Sequence, residues 1–335
     1  GKVKKSYRDA YGRTIPIAEV TSGGNYNTTY NYDILGNLTN VTDNANNKTS
    51  MAYDSLGRKI SMTDPDMGKW TYAYDNAGRM TQQIDARTNK LVFNYSDSLG
   101  RLTSKQIYNA ANTLVGTITY TYDVSDDLNY TVFKGQLYKV TDLQGYQRSS
   151  YDVRGRVVKT GRFLNVNAME YVTQTTYDDA DRVQTIIYPG NSATIKYSYD
   201  TAGNLVQVKS LAGTGTQEIF YTPQSFNALG QLTSYTDGAG VATTNIYFAN
   251  SKRLQRVKVY DGTTNLQDLS YTYDTVSDLK SIGDGVYSGT ASAAISSIAY
   301  DDLYRVTTIN STARGVKNYA YNPIGNILTN EDFGS

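Results

Sequence analysis

Histidine and cysteine do not occur in this 335-residue chain. Their absence excludes disulfides, thiol nucleophiles, iron–sulfur clusters, Cys/His zinc sites and every His-based triad or proton relay. Hydrophobic residues reach 39%, below the ~45–50% of a typical globular domain, so aliphatic packing material is scarce. Trp occurs once and Phe seven times against 32 Tyr, so the main packing residue keeps a hydroxyl that needs water or a hydrogen-bond partner. Lys and Arg number 32 and Asp and Glu 31, a net charge of +1. That balance leaves no bulk field to attract nucleic acid or an anionic membrane surface. Lys2, Lys4 and Lys5 form a basic cluster at the N-terminus, where a frayed, solvated end is expected. No apolar run approaches the ~18–20 residues of a membrane span, and the N-terminus lacks the apolar stretch of a signal peptide.

What the chain does have is a repeated phrase, Tyr-Asp-x-x-Gly-Arg/Asn-apolar. Strong copies are Tyr32-Asp33 with Gly36, Tyr53-Asp54 with Gly57-Arg58, Tyr74-Asp75 with Gly78-Arg79, Tyr151-Asp152 with Gly155-Arg156, and Tyr199-Asp200 with Gly203. Weaker copies are Tyr122-Asp123 with Asp126, Tyr177-Asp178 with Asp181, Phe226-Asn227 with Gly230, and Phe248-Ala249 with Lys252-Arg253. The frame continues at Tyr273-Asp274, Tyr300-Asp301 and Tyr321-Asn322 with Gly325. Arg8-Asp9 with Gly12, and Ser96-Asp97 with Gly100-Arg101, replace the Tyr and keep the rest. The spacing averages about 24 residues over fourteen copies. Asp holds its column in eleven of them, which chance does not produce.

Before each Asp, small polar and aromatic residues alternate, as in Trp70-Thr71-Tyr72-Ala73-Tyr74, and period two signals a strand. An Asp after the strand can accept backbone N–H groups, and Gly three positions later takes the left-handed conformation that closes a type I turn with a G1 bulge. A second strand starts at the Arg-apolar step, and Asp/Asn/Gly-rich return turns such as Asp43-Asn44 and Asp237-Gly238 lead into the next copy. The best helical candidate, residues 291–295, is too short. The expectation is an all-β, continuous antiparallel ribbon of about 28 short strands. It forms a single repeat domain over residues 1–335, with no separate cap, protease or effector domain.

The in-register Tyr-Asp-x-x-Gly-Arg-Leu phrase, from Asp9 to Ile327, resembles the Tyr-Asp (YD) or Rhs repeats of bacterial rearrangement-hotspot proteins, wall-associated proteins, toxin-complex shell subunits and teneurins. The resemblance implies a ribbon that coils into an open, hollow spiral or shell enclosing another polypeptide, on a bacterial surface or in the extracellular space. In shell members, an aspartyl autoprotease and a variable effector follow the last repeat. Here only residues 330–335 follow it, so both are expected to be absent, leaving either a shell fragment or an open-ended polymer. Asp64-Pro65-Asp66 looks like a proteolytic aspartyl motif on paper but reads as a return turn.

Acid pairs at Asp126-Asp127, Asp178-Asp179 and Asp301-Asp302 recur with the repeat, which suits turn-making better than catalysis or calcium binding. The Arg column is expected to stack on Tyr rings or pair with Asp, and the Tyr rows to form cross-strand aromatic ladders. Asn-x-Ser/Thr triplets, among them those at Asn27, Asn37, Asn40, Asn47, Asn129 and Asn310, read as coincidence in so Asn- and Thr-rich a chain. No catalytic, metal or cofactor site is expected. The function expected is a structural scaffold, with an adhesion module that binds glycans or proteins through Tyr-rich surfaces as the alternative. Its partner is another copy of itself or an enclosed polypeptide, with no nucleic acid and no membrane insertion.

Overall fold

A computed structural model describes residues 3–21, 24–211, 218–322 and 325–330. Lys2 of the basic cluster, the two residues before Gly325 and the 331–335 tail lie outside the described residues. Twenty-eight strands run from β1 (Val3–Arg8) to β28 (Ile327–Asn330) in one antiparallel sheet. The only helical pieces among the described residues are 3-10 turns at Pro189–Asn191 and Gly289–Ala291. The second holds the first residue of the 291–295 candidate and stops there, because Ser292 returns to extended backbone.

Two compact units divide the chain, residues 1–173 and 174–335. In the first, β3 (Gly24–Tyr32) pairs with β4 (Leu38–Thr42), then β5 (Lys48–Tyr53) with β6 (Lys59–Asp64), and β7 (Gly68–Tyr74) with β8 (Met80–Ile84). The same sequential pairing organises the second, as in β17 (Thr194–Tyr199) with β18 (Leu205–Leu211) and β27 (Gly315–Tyr321) with β28.

Alternation sorts the two faces. Register puts Tyr30 opposite Val41, Met51 opposite Met62 and Met62 opposite Trp70 on one face. Thr29 opposite Thr42, Asn40 opposite Ser50 and Ser61 opposite Thr71 lie on the other. Among the described apolar residues only Ala18, Tyr130 and Tyr138 are buried, so there is no continuous core. Neighbouring strands must carry the stability instead, as in a repeat array.

Each turn obeys the chemistry of its letters. Gly36 donates its N–H to Asp33 O at 3.1 Å, Asp33 donates to Asn37 O at 2.9 Å, and Gly36 has φ +90°. This is a type I turn closed by a left-handed residue, which glycine adopts without steric cost. Beyond it the ladder slips one residue, so that Tyr32 faces Leu38 while Asn31 faces Asn40. The return turns at Asp43 and Asp85 use the same device, with Asn47 and Asn89 in the place that Arg holds at most of the opposite corners.

Candidate functional site

The repeated feature of this chain is the corner where each hairpin turns. At Asp54, Oδ1 accepts the amides of Leu56 and Arg58 at 3.0 and 2.9 Å, and Oδ2 accepts Arg58 Nε at 2.7 Å. Arg58 then reaches forward: its guanidinium donates to Asp75 O at 2.9 Å and lies 5.0 Å from the Tyr74 ring centroid. Tyr74 reaches back and donates its hydroxyl to Lys59 O at 2.9 Å. Two adjacent repeats are thus clasped twice, once by a cation stacked on a ring and once by a phenol on a carbonyl.

Tyr32 clasps Thr14 O, Tyr53 Leu38 O, Tyr151 Leu137 O, Tyr199 Val183 O, Tyr273 Leu254 O, Tyr300 Leu279 O and Tyr321 Val306 O, all at 2.7–2.9 Å. Tyr122 holds Leu102 O at 2.9 Å. Tyr177 occupies the equivalent position opposite Val183. The Nε of Arg79, Arg156, Arg182 and Arg305 meets the carboxylate of Asp75, Asp152, Asp178 and Asp301 at 2.6–2.7 Å. At Asp33 and Asp200 an Asn takes that position. Among the described residues the Asp274 carboxylate accepts only amides, from Val276 and Asp278. Gly57, Gly78, Gly100, Gly155, Gly203 and Gly325 all hold the left-handed turn position.

Several readings of the sequence shift. The copy at Asp97 does not lack its Tyr: Tyr95, one residue early, clasps Met80 O at 2.9 Å. The ladder there ends at the Asn94–Ser104 pair, one residue before Tyr95. At 248 the frame moves by one. Tyr247 makes the clasp, to Leu232 O at 3.0 Å, and Phe248 stands where the other corners have Asp or Asn. The Gly of the Asp123 copy is Gly135 and not Asp126, because an insertion separates the two halves of the turn: Asp123 donates to Gln136 O, and Gly135 N–H donates to the Asp123 carboxylate. The corner Tyr rings do not stack mainly on one another. Arg101, Arg182, Arg253 and Arg305 lie 4.3–4.7 Å from the rings of Tyr122, Tyr199, Tyr273 and Tyr321, so cations separate them.

Electrostatics follows the bonding. The Arg58 amide, then its guanidinium, holds the Asp54 carboxyl below the usual Asp range, and Arg79 does the same for Asp75. The Asn37 side chain, then backbone amides, lowers Asp33. Asp123 falls furthest, to about 2, because Arg101 bonds it across the repeat boundary and Gly135 donates a second hydrogen bond.

Inside the first unit the inserted loop, residues 124–135, folds back onto the sheet. Arg148 bonds Glu170 at 2.6 and 2.7 Å and Asp127 at 2.7 Å, with its guanidinium 4.3 Å from the Tyr130 ring. Lys159 covers the same ring at 4.3 Å, and the Tyr130 hydroxyl donates to Glu170 at 3.1 Å. Burial, then the Glu170 charge, pushes the Tyr130 phenol up to about 12. Asp126 accepts hydrogen bonds from the Tyr138 hydroxyl and the Lys139 ammonium. The Asp126-Asp127 pair therefore anchors this loop, and Asp127 also makes a turn, accepting the Asn129 amide on its carboxylate at 2.8 Å and the Tyr130 amide on its carbonyl at 3.0 Å. Gly161 lies under it, where a Cβ would overlap both the Tyr130 hydroxyl and the Glu170 carboxylate. Sequence periodicity does not signal this cluster, in which Tyr130 and Glu170 are 40 residues apart.

Among the described residues no three His, Cys, Asp or Glu side chains gather as a metal site requires, and no helix is long and apolar enough to cross a membrane. The RHS Repeat family model matches residues 32–67, 53–90 and 177–214. A search of curated proteins finds no match. Among solved structures, the crystal structure of TcdB2-TccC3 matches 97% of this chain with a TM-score of 0.80 at 20% identity. The complex TcdB2-TccC3-Cdc42 matches 98% with a TM-score of 0.80 at 19% identity. The Photorhabdus luminescens Tc holotoxin pore matches 99% with a TM-score of 0.81 at 19% identity. In each case this chain spans 19% of the matched chain. The corner motif recurs from Asp9 to Asn326, the RHS Repeat model matches it within residues 32–90 and 177–214, and the fold is similar to that of these Tc structures over nearly the whole chain.

Proposed function

We propose that this chain is a non-catalytic wall segment: part of an extracellular bacterial shell whose repeats form one continuous array around another polypeptide. The observation that carries the reading is the double clasp, which joins successive hairpins along the array. The corner carboxylates are spent on turn amides and guanidinium groups, and none stands in the paired, partly free arrangement that acid/base catalysis needs. A structural match over 97–99% of the chain to Tc toxin proteins supports the wall assignment. An aromatic, half-buried face opposite a hydroxyl-rich one gives such a wall two chemically distinct sides.

Electron microscopy and small-angle scattering of the purified chain test this reading. Arched particles one sheet thick, about 10 Å by the spacing of packed β-layers, are the expected result. A solid globule would overturn it, and binding on a glycan array by such a globule would favour an adhesin.

A further inference from the structure

Thirteen of the fourteen corners begin with Asp or Asn; the remaining one begins with Phe248. Phe248 donates to Arg253 O at 2.9 Å and accepts from Lys252 N at 3.0 Å, so this turn is one residue longer than its siblings. Lys252 takes the left-handed place with φ +59°. No carboxylate is available within residues 248–253, while two cations, Lys252 and Arg253, are.

The consequence falls on Arg253. In sibling corners Nε meets a carboxylate at 2.6–2.7 Å. Arg253 Nε is shielded from solvent and has no hydrogen-bond partner among the described residues. Its amide has only Ser251 Oγ at 3.5 Å, where the Arg58 amide has a carboxylate at 2.9 Å. What holds the guanidinium is the Tyr273 ring at 4.7 Å and Asp274 O at 3.4 Å. Arg101 Nε also lacks a partner, but two carboxylates, Asp97 and Asp123, hold its guanidinium. The acids of the next corner do not substitute: Asp274 Oδ1 accepts the amides of Val276 and Asp278, and Asp278 itself stands in that corner's Arg column. The Phe248 ring packs edge-on to Tyr273, with centroids 6.2 Å apart.

We propose that the Phe248 corner binds a carboxylate in trans, the side chain of an Asp or Glu on a partner polypeptide. The incoming group takes the place that the corner's own Asp fills elsewhere, accepting from Arg253 Nε and the turn amides as the Phe248 ring swings aside. The site is independent of the shell reading, since an adhesin would present the same corner.

The test is an NMR titration of the Arg side-chain Nε–Hε resonances of the full chain with N-acetyl-aspartate methylamide. A saturable shift at Arg253 is expected, lost in R253Q and in F248D, where an internal carboxylate competes. D54A supplies the positive control, because Arg58 loses its own carboxylate and a second responding resonance should appear. If Arg58 responds in D54A and Arg253 does not respond in the native chain, Phe248 closes the site and the proposal fails. It fails equally if neither responds, or if F248D responds as the native chain does.

Discussion

The clasp makes a quantitative claim that one pair of substitutions can settle. Tyr72 and Tyr74 are two residues apart on β7 and are both half-buried. Tyr74 donates to Lys59 O at 2.9 Å, whereas the Tyr72 hydroxyl has no partner among the described residues. Tyr74→Phe therefore strands a part-buried carbonyl and should cost about 1 kcal/mol, the net worth of such a hydrogen bond. Tyr72→Phe should cost much less than that. The only tryptophan, Trp70, lies on the same strand and donates its indole N–H to Met67 O at 3.1 Å, so its fluorescence reports urea unfolding in these repeats. With a urea slope of about 2.5 kcal/mol/M, the Tyr74→Phe midpoint should fall by about 0.4 M. Adding Tyr53→Phe and Tyr95→Phe, whose hydroxyls bind Leu38 O and Met80 O at 2.9 Å, should triple the fall, because separate interfaces add in a repeat array. Equal costs at Tyr72 and Tyr74, or a triple variant no weaker than the single, would refute the clasp as a source of stability.

Acid should loosen the array in a defined window. The corner carboxyls of Asp33, Asp54, Asp75 and Asp123 are held below the ordinary Asp value of 3.8, so their contribution is complete above about pH 4. It is lost as pH falls through the folded values, down to about 2 for Asp123. With no His or Cys, the melting temperature should stay level between about pH 5 and 8, and a midpoint near neutrality would contradict this assignment. In the first unit, Gly161→Ala forces a methyl into the Tyr130–Glu170 contact and should cost about 2 kcal/mol, as overpacking does. If thermal unfolding of that variant matches the native chain, the inserted loop is not seated on Gly161 as described.

Most of the local structure was legible because its causes are local. Asp bonding to amides two and four residues on, and a left-handed residue at the next-to-last place, are decided within five residues, so the Asp54 turn could be derived from its letters. Of the two halves of the clasp, the stacking of Arg on Tyr was legible and the phenol contact was not, because Tyr74 finds its acceptor 15 residues back, and nothing in either strand's alternation marks Lys59 O as the target. The Tyr95 offset and the shifted frame at Tyr247 were missed for a related reason: the column of a residue is set by strand register, and one residue added after the last ladder pair at Asn94, or within the turn after Tyr247, which faces Leu254, moves the motif against it. The Arg148–Glu170 cluster depends on where an insertion happens to lie down, which no periodicity encodes.

The direction of the clasp bears on how such a chain comes to be folded. Tyr53, Tyr74 and Tyr95 each grip a carbonyl 15 residues upstream, on the hairpin finished just before. A nascent polypeptide leaving the ribosome therefore meets its docking partner already in place, and closing so short a loop carries little entropic penalty. Growth can proceed rung by rung from the N-terminal side, and a long array need never await its distant end before becoming solid.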